Sequence, residues 1–190
     1  NESDFPLILW NHRWEHDKNP EAFFDVLIQL SQMGANFNLA VLGEEFKEEL
    51  PCFTNARKQL QKHIVQFGYT DSFEEYAKWL WKADILPVTS NQDFFGASIM
   101  EAVYCGVIPL FPNRLTYPEL FNRKRNTHLF YDDYDDLLIK LEKLVMNYPP
   151  VKTHFLKDIS GQFDWSKIAV AYDRTFLNLI VANSQSDQVL

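Results

Sequence analysis

Two carboxylates, two cations and a glycine are the residues of this sequence whose types and spacing could do chemistry. Asp93 and Glu101 lie on either side of Gly96 in SNQDFFGASIMEAVYCG, and Arg13 and Lys18 lie in NHRWEHDKNP. Arginine binds phosphate as a bidentate fork and lysine as a point charge. Ionised carboxylates only accept hydrogen bonds, so they suit hydroxyl groups better than phosphate. The set therefore indicates a ligand that carries both phosphate and sugar hydroxyls.

The small residues around Gly96 predict the start of a helix over residues 96–105, which Gly106 ends. The N–H groups and dipole of a helix N-terminus attract anions, and small side chains let a phosphate approach the backbone. Glu101 would lie about one and a half turns into this helix. The ordinary alternative, an acidic residue that complements the helix dipole, accounts for Asp93 but less readily for Glu101.

Six short apolar runs provide the elements that must position these residues. They are PLILW, NLAVLG, HIVQFG, ADILPV, VIPLF and HLFY, and segments of helical periodicity separate them. This alternation is typical of βαβ units. It predicts an α/β fold, a Rossmann-like doubly wound parallel sheet of about six strands, with ligands bound beyond the carboxyl ends of the strands. Helices are expected over residues 23–33, 73–81, 96–105, 137–146 and about 164–182.

Composition limits the class of protein. A chain of 190 residues with 46% hydrophobic residues predicts one domain, residues 1–190, and the net charge of −8 argues against a nucleic-acid surface over the whole segment. The basic cluster at residues 123–125 has a solvated loop as its ordinary explanation. The apolar runs are far shorter than the ~20 residues of a membrane span. Cys52 and Cys105 have neither metal-ligand nor disulfide spacing, which is typical of a reducing compartment.

Several common sites are disfavoured. No G-x-G-x-x-G and no Walker A loop follow the first strand, which argues against a NAD or ATP enzyme. His12, Glu15 and His16 do not form the helical H-E-x-x-H motif of a zinc site. The acidic run YDDYDD at residues 131–136 contains Asp-x-Asp, but it directly precedes an amphipathic segment and is predicted to cap a helix.

The layout of these motifs resembles a known family. Arg13 and Lys18, then Asp93 and Glu101 separated by seven residues, then EAVYCGVIPL and YPEL resemble the donor-binding half of retaining GT-B glycosyltransferases of family four. The segments WNHRWEHDKNP and QDFFGASIMEAVYCGVIPLFP are together similar to those of one branch, the tRNA-queuosine mannosyltransferases, also called glycosyltransferase-like domain-containing proteins. The resemblance implies that residues 1–190 are the nucleotide-sugar-binding domain and that an N-terminal acceptor domain lies outside this chain.

The resemblance also implies a role for individual residues. Arg13 and Lys18 would bind the donor diphosphate and stabilise its departure, Asp93 would hold hydroxyls of the donor sugar, and these three would be the catalytic residues. Glu101 would bind the ribose hydroxyls. Further donor contacts are expected at Phe67, Gly68 and Tyr69 near the nucleobase, at Phe95, Gly96, Ala97 and Ser98 near sugar and phosphate, and, with a less certain role, at Tyr117, Pro118 and Glu119. Asp93 departs from the usual Glu, and the glycine-rich turn after the second strand is reduced to Gly43.

The function implied by the resemblance is retaining transfer of a hexose, with mannose from GDP-mannose as the expected donor, to the queuosine base of tRNA. It implies no cofactor, no essential metal, no membrane partner and a cytoplasmic location, with tRNA bound mainly by the N-terminal domain. Three alternatives remain open. They are a GT-B transferase acting on a lipid or glycan, a sugar-nucleotide 2-epimerase of the same architecture, and a non-catalytic nucleotide-sugar-binding or interaction module.

Overall fold

A single parallel sheet organises the chain. The computed structural model describes residues 4–43, 50–148 and 154–186. Its strands have the order β3-β2-β1-β4-β5-β6 and pair in parallel, which confirms the predicted Rossmann-like doubly wound fold. The six strands are β1 Leu7–Trp10, β2 Asn38–Leu42, β3 Ile64–Gly68, β4 Ile85–Pro87, β5 Ile108–Pro112 and β6 Phe130–Tyr131.

Helices connect the strands. They are α1 Pro20–Gln32, α2 Pro51–Gln59, α3 Phe73–Lys82, α4 Ala97–Tyr104, α5 Tyr117–Leu120, α6 Tyr134–Met146, α7 His154–Gly161 and α8 Trp165–Ser186. The largest differences from the predicted boundaries are at α1, which begins at residue 20 rather than 23, at α6, which begins at residue 134 rather than 137, and at α8, which continues to residue 186 rather than 182. Helices α2, α5 and α7 were not predicted. No helix in the described part of the chain is long and apolar enough to cross a membrane.

Side-chain caps explain where two of the predicted helices begin. Ser72 accepts a hydrogen bond from the Glu75 amide at 3.2 Å at the start of α3. Asp133 accepts one from the Asp136 amide at 2.9 Å at the start of α6. Such caps satisfy amides that have no intrahelical acceptor. The acidic run at residues 131–136 therefore caps a helix, as predicted.

The sheet is buried on both faces, and alternate residues of each strand serve different cores. Ile8 and Trp10 of β1 belong to the core that α1, α2 and α6 cover, whereas Leu7 and Leu9 belong to the core beneath α3, α4 and α7. Successive side chains of a strand point to opposite faces, so a strand covered on both sides must be apolar throughout. This explains the continuous apolar runs of the sequence.

Pro109 lies inside β5 at a place where its missing N–H is harmless. The Ile108 amide donates to the Asp84 carbonyl at 2.9 Å, so the next residue points its nitrogen to the other side of the strand. On that side β6 pairs with β5 only at Phe111 and Pro112. No ladder hydrogen bond of the described strands is therefore lost at Pro109.

Gly43 and Gly34 offer a matched test of close packing at the end of β2. Both residues have positive φ, +113° at Gly43 and +88° at Gly34. A Cβ added at Gly43 would lie 2.8 Å from the His12 carbonyl oxygen, whereas a Cβ added at Gly34 would have no atom within 4 Å. We expect Gly34→Ala to cost about 1 kcal/mol of unfolding free energy from backbone strain alone. Gly43→Ala should cost about 1–3 kcal/mol more, because the backbone at His12 must move. Urea denaturation of both variants measures the difference, and equal costs would contradict this close contact.

Candidate active site

The site lies where the strand order reverses. β1 and β4 are neighbours in the sheet, with Ile8 opposite Ile85, although they are far apart in the chain. The crossovers that follow them leave in opposite directions, so the loops beyond their carboxyl ends border an open crevice. These loops are residues 11–19 after β1 and residues 88–96 after β4. The first loop contains Arg13 and Lys18, and the second contains Asp93, which lies about seventy-five positions or more from both in the sequence.

Backbone hydrogen bonds tie the two loops together. The amide of Asn91 donates to the Asp17 carbonyl at 2.8 Å, and the Thr89 hydroxyl lies 2.9 Å from both the Lys18 and Asn19 carbonyl oxygens. From the end of β5, Arg114 donates to the Thr89 carbonyl at 2.8 Å. Because these groups are obligatory hydrogen-bonding partners, the relative position of the loops is fixed before any ligand binds.

Lys18 is held in place by three acceptors. Its Nζ donates to the Gln92 carbonyl at 2.9 Å and lies 3.2 Å from Asp17 Oδ2 and 3.6 Å from Asp93 Oδ2. Its side chain is only 11% exposed. Arg13 differs, because its side chain is 60% exposed and its guanidinium contacts only Glu15, at 3.1 Å, among the described ion pairs. The site thus combines a fixed cation with an adjustable one.

Asp93 lies beside the N-terminus of α4. Its side chain is 12% exposed, and its Oδ2 accepts a hydrogen bond from the Tyr117 hydroxyl at 3.1 Å. Gly96 caps α4 with φ +75°, and a Cβ there would lie 2.9 Å from Ile99 Cδ1 and 3.5 Å from Asp93 Oδ2. The helix begins at Ala97, one residue later than predicted, and its first amides precede the intrahelical hydrogen bonds. Asp93 and the anion-attracting helix end are therefore adjacent.

Glu101 is oriented by a tyrosine that the sequence analysis missed. The Tyr76 hydroxyl, from α3, donates to Glu101 Oε2 at 2.8 Å. Asn11 Nδ2 donates to the same hydroxyl at 3.3 Å and to the Ser98 carbonyl at 2.7 Å. Burial, and secondarily the Glu101 carboxylate, raise the pKa of Tyr76 above its usual value. Tyr76 is therefore a neutral donor at any ordinary pH.

His12 is buried at the floor of the site and is neutral. Its Nδ1 lies 3.3 Å from Ser98 Oγ, and its buried Nε2 has no hydrogen-bond partner within the described ranges. Burial, reinforced by the nearby charge of Lys18, lowers the pKa of His12 to about 4. His16 instead is exposed and lies 3.5 Å from Glu21. The two histidines that bracket Glu15 thus occupy different environments.

Two clefts meet at Arg13. The first has a volume of about 550 Å³ and the second about 650 Å³. The first is lined by Asn11, His12, Arg13, Leu42, Gly43 and residues 69–73 with Tyr76. The second is lined by Arg13, residues 15–18 and residues 92–96. Two neighbouring compartments of this size, with Arg13 bordering both and Lys18 bordering the second, suit a ligand with a phosphate between two larger groups.

The structure places the other predicted contact residues unevenly. Tyr69 is exposed and lines the first cleft, but the Phe67 ring packs against Trp14, with centroids 5.2 Å apart. Phe95 lines the second cleft and contacts Phe163. Gly68, Ala97 and Ser98 line neither cleft as described, although the Ser98 carbonyl and hydroxyl contact Asn11 and His12. Residues 118 and 119 lie in α5, and they line neither described cleft.

The chain is similar in sequence to known glycosyltransferases. The model of the family described as glycosyl transferases group 1 matches residues 1–154. The tRNA-queuosine alpha-mannosyltransferase of Drosophila melanogaster is 38% identical over 117 residues, which is 62% of this chain and 31% of that protein. The chain thus spans about a third of that curated relative's length.

Solved structures show the same fold at low sequence identity. Sucrose-phosphate synthase from Thermosynechococcus elongatus superimposes with a TM-score of 0.71 at 17% identity, over 94% of this chain and 46% of that one. A glycosyltransferase from Rickettsia africae superimposes with a TM-score of 0.61 at 18% identity, over 84% of this chain and 41% of that one. Because the family model matches most of the chain, residues 1–154, this chain belongs to the group 1 glycosyl transferases.

Proposed function

We propose that this chain is the donor-binding part of a retaining glycosyltransferase that uses a nucleoside-diphosphate sugar. The observation that carries the proposal is the meeting of Lys18, Arg13 and the N-terminus of α4 at the reversal of strand order, with Asp93 beside them. Two cations and a helix end attract the diphosphate. Carboxylates at the same place favour a ligand that also offers hydroxyl donors.

The two clefts divide the donor between them. The first cleft takes the nucleoside, with the base near Tyr69. Glu101 lines neither described cleft, but it accepts a hydrogen bond from Tyr76, which lines the first one, so the ribose is assigned to that side. The second cleft takes the sugar, whose hydroxyls donate to Asp93. Arg13 borders both clefts and therefore lies where the diphosphate joins the two halves.

The proposed reaction needs no nucleophilic side chain from this chain. The bond between the anomeric carbon and the diphosphate oxygen breaks, and the electron pair stays with the diphosphate. The acceptor hydroxyl bonds to the anomeric carbon on the same face and gives its proton to the oxygen of the departing diphosphate, so configuration is retained. Arg13 and Lys18 stabilise the charge that develops on the leaving group, a role that other enzymes give to a divalent metal ion. We therefore propose that no metal ion is essential.

Donor and acceptor are proposed from the Drosophila relative, named a tRNA-queuosine alpha-mannosyltransferase. They are GDP-mannose and the queuosine base of a tRNA, in the cytoplasm. The net charge of −8 is unfavourable for a polyanion, so the acceptor is expected to contact mainly a domain outside this chain. A GT-B transferase acting on a lipid or glycan would keep the same donor residues, and a non-catalytic module would bind the donor without turnover.

Donor binding can be tested by calorimetric titration of the chain with GDP, UDP, GDP-mannose and UDP-glucose, with and without magnesium. We expect guanine-selective binding that magnesium does not change. Arg13→Ala removes a diphosphate contact, and Glu101→Ala removes a ribose contact. Each should weaken binding about tenfold, the loss expected for about 1.4 kcal/mol of charge-assisted hydrogen bonding.

Arg125→Ala is the matched control for the loss of one positive charge, because Arg125 is exposed and lines neither described cleft. The Arg125→Ala variant should bind the same nucleotide with the same affinity as the unchanged chain. Absence of nucleotide binding by the folded chain at millimolar concentration would contradict the donor site. Equal losses in Arg13→Ala and Arg125→Ala would show that only net charge matters.

The acceptor can be tested in the longer protein that carries the expected N-terminal domain. We expect it to transfer mannose from GDP-mannose to queuosine-containing tRNA and not to tRNA that lacks queuosine, measured by mass spectrometry of the nucleosides. Lys18→Ala should lower kcat by about a hundredfold, because Lys18 stabilises the leaving diphosphate in the transition state. Transfer to a lipid or glycan instead would contradict the tRNA acceptor but not the donor site.

The neutral state of His12 predicts a pH dependence of stability. Its pKa is about 4 in the folded chain and 6.5 unperturbed, so the unfolded state takes up the proton first as the pH falls. The free energy of unfolding is therefore unaffected by this group above pH 6.5 and decreases as the pH falls from 6.5 towards 4. We expect this group alone to remove about 2 kcal/mol between pH 7 and pH 5. Urea denaturation of His12→Asn should show a correspondingly smaller pH slope, and an unchanged slope would contradict the buried, neutral state of His12.

A further inference from the structure

We propose that Tyr76 and Tyr117 are positioning residues that hold the site's two carboxylates in their donor-binding orientation. The Tyr76 hydroxyl donates to Glu101 Oε2 at 2.8 Å, and the Tyr117 hydroxyl donates to Asp93 Oδ2 at 3.1 Å. The inference deepens the proposed function and rests on it, because it assigns to each tyrosine one half of the donor.

The direction of the first hydrogen bond follows from its network. Asn11 Nδ2 donates to the Tyr76 hydroxyl oxygen at 3.3 Å and to the Ser98 carbonyl at 2.7 Å. Since the Ser98 carbonyl can only accept, the nitrogen of the Asn11 amide must face it. The Tyr76 oxygen therefore accepts from Asn11, and its own proton points to Glu101.

The second hydrogen bond starts from a rigid base. Tyr117 is fully buried, and its ring stacks on Phe111 with centroids 5.0 Å apart. Burial, and secondarily the charge of Asp93, raise the pKa of Tyr117, so its hydroxyl keeps its proton. The aromatic ring cannot change rotamer without disturbing the core, which fixes the donor beneath Asp93.

Each hydroxyl engages one carboxylate oxygen. The hydrogen bonds and ion pairs described for Asp93 fall on Oδ2, from Tyr117 and Lys18, and the hydrogen bond described for Glu101 falls on Oε2. The other oxygen of each carboxylate can accept from a ligand hydroxyl. A carboxylate fixed in this way loses less rotamer freedom on binding, which favours affinity through preorganisation.

The assignment predicts a separate effect for each tyrosine. Tyr76→Phe frees Glu101, so we expect about three- to tenfold weaker binding of GDP and a smaller preference for GDP over its 2′,3′-dideoxy analogue. Tyr117→Phe removes the hydrogen bond to Asp93 and leaves it, of the contacts described, only the ion pair with Lys18, so GDP affinity should be unchanged while the preference for GDP-mannose over GDP decreases. UDP and its derivatives replace these ligands if the unchanged chain prefers them.

The control variant is Tyr134→Phe, because Tyr134 donates to the neutral Gln29 side chain at 3.2 Å and lines neither described cleft. It should leave both ligand preferences unchanged. Thermal unfolding of every variant separates lost stability from lost affinity. In a double-variant cycle, Tyr76→Phe should cost nothing in a Glu101→Ala background, because it acts through Glu101.

The outcomes separate the two proposals. If the unchanged chain binds no nucleotide, the donor site itself is refuted and the positioning role with it. If it binds, but the tyrosine variants keep both ligand preferences, only the positioning role is overturned. A penalty of Tyr76→Phe that persists without the Glu101 side chain would likewise overturn it, since the tyrosine would then act only through general stability.

Discussion

The pairing of β1 with β4 is the constraint on which the site depends. Because the strand order reverses there, no helix of the described residues covers the carboxyl ends of these two strands. The loop that carries Lys18 therefore meets the loop that carries Asp93, and backbone hydrogen bonds from the Asn91 and Gln92 amides to the Asp17 carbonyl hold them in register. The continuous apolar strands make this possible, since burial on both faces fixes their position in the sheet.

The cations of the site are already paired with carboxylates before a ligand binds. Lys18 is shared between Asp17 and Asp93, so its charge is partly neutralised, whereas the exposed Arg13 guanidinium contacts only Glu15 in the described ion pairs. A phosphate group would have to compete with these carboxylates for the cations. A ligand that offers hydroxyl donors to the same carboxylates avoids that competition, so the proposed site of an acidic chain would favour phosphate joined to sugar over phosphate alone.

Local signals predicted the fold and only part of the site. The six strands and the caps at Ser72 and Asp133 were predictable because apolar periodicity and capping depend on neighbouring residues. The hydrogen bonds of Tyr76 with Asn11 and Glu101 join residues 65 and 25 positions apart, so sequence spacing cannot reveal them. Helix α5 was missed because it is a single turn of four residues. Its Tyr117 was expected at the cleft with a less certain role, and the structure instead buries it beneath Asp93.

A tyrosine hydroxyl suits the orientation of these carboxylates for an electrostatic reason. An arginine or lysine in place of Tyr76 would also hold Glu101, but its positive charge would offer the diphosphate a second binding place away from Arg13 and Lys18. A neutral donor fixes the carboxylate without adding a competing charge. Arg13 and Lys18 then remain the cations that stabilise the leaving diphosphate in the proposed reaction. Because burial raises the pKa of both tyrosines, their hydroxyls stay protonated and can donate throughout the physiological pH range.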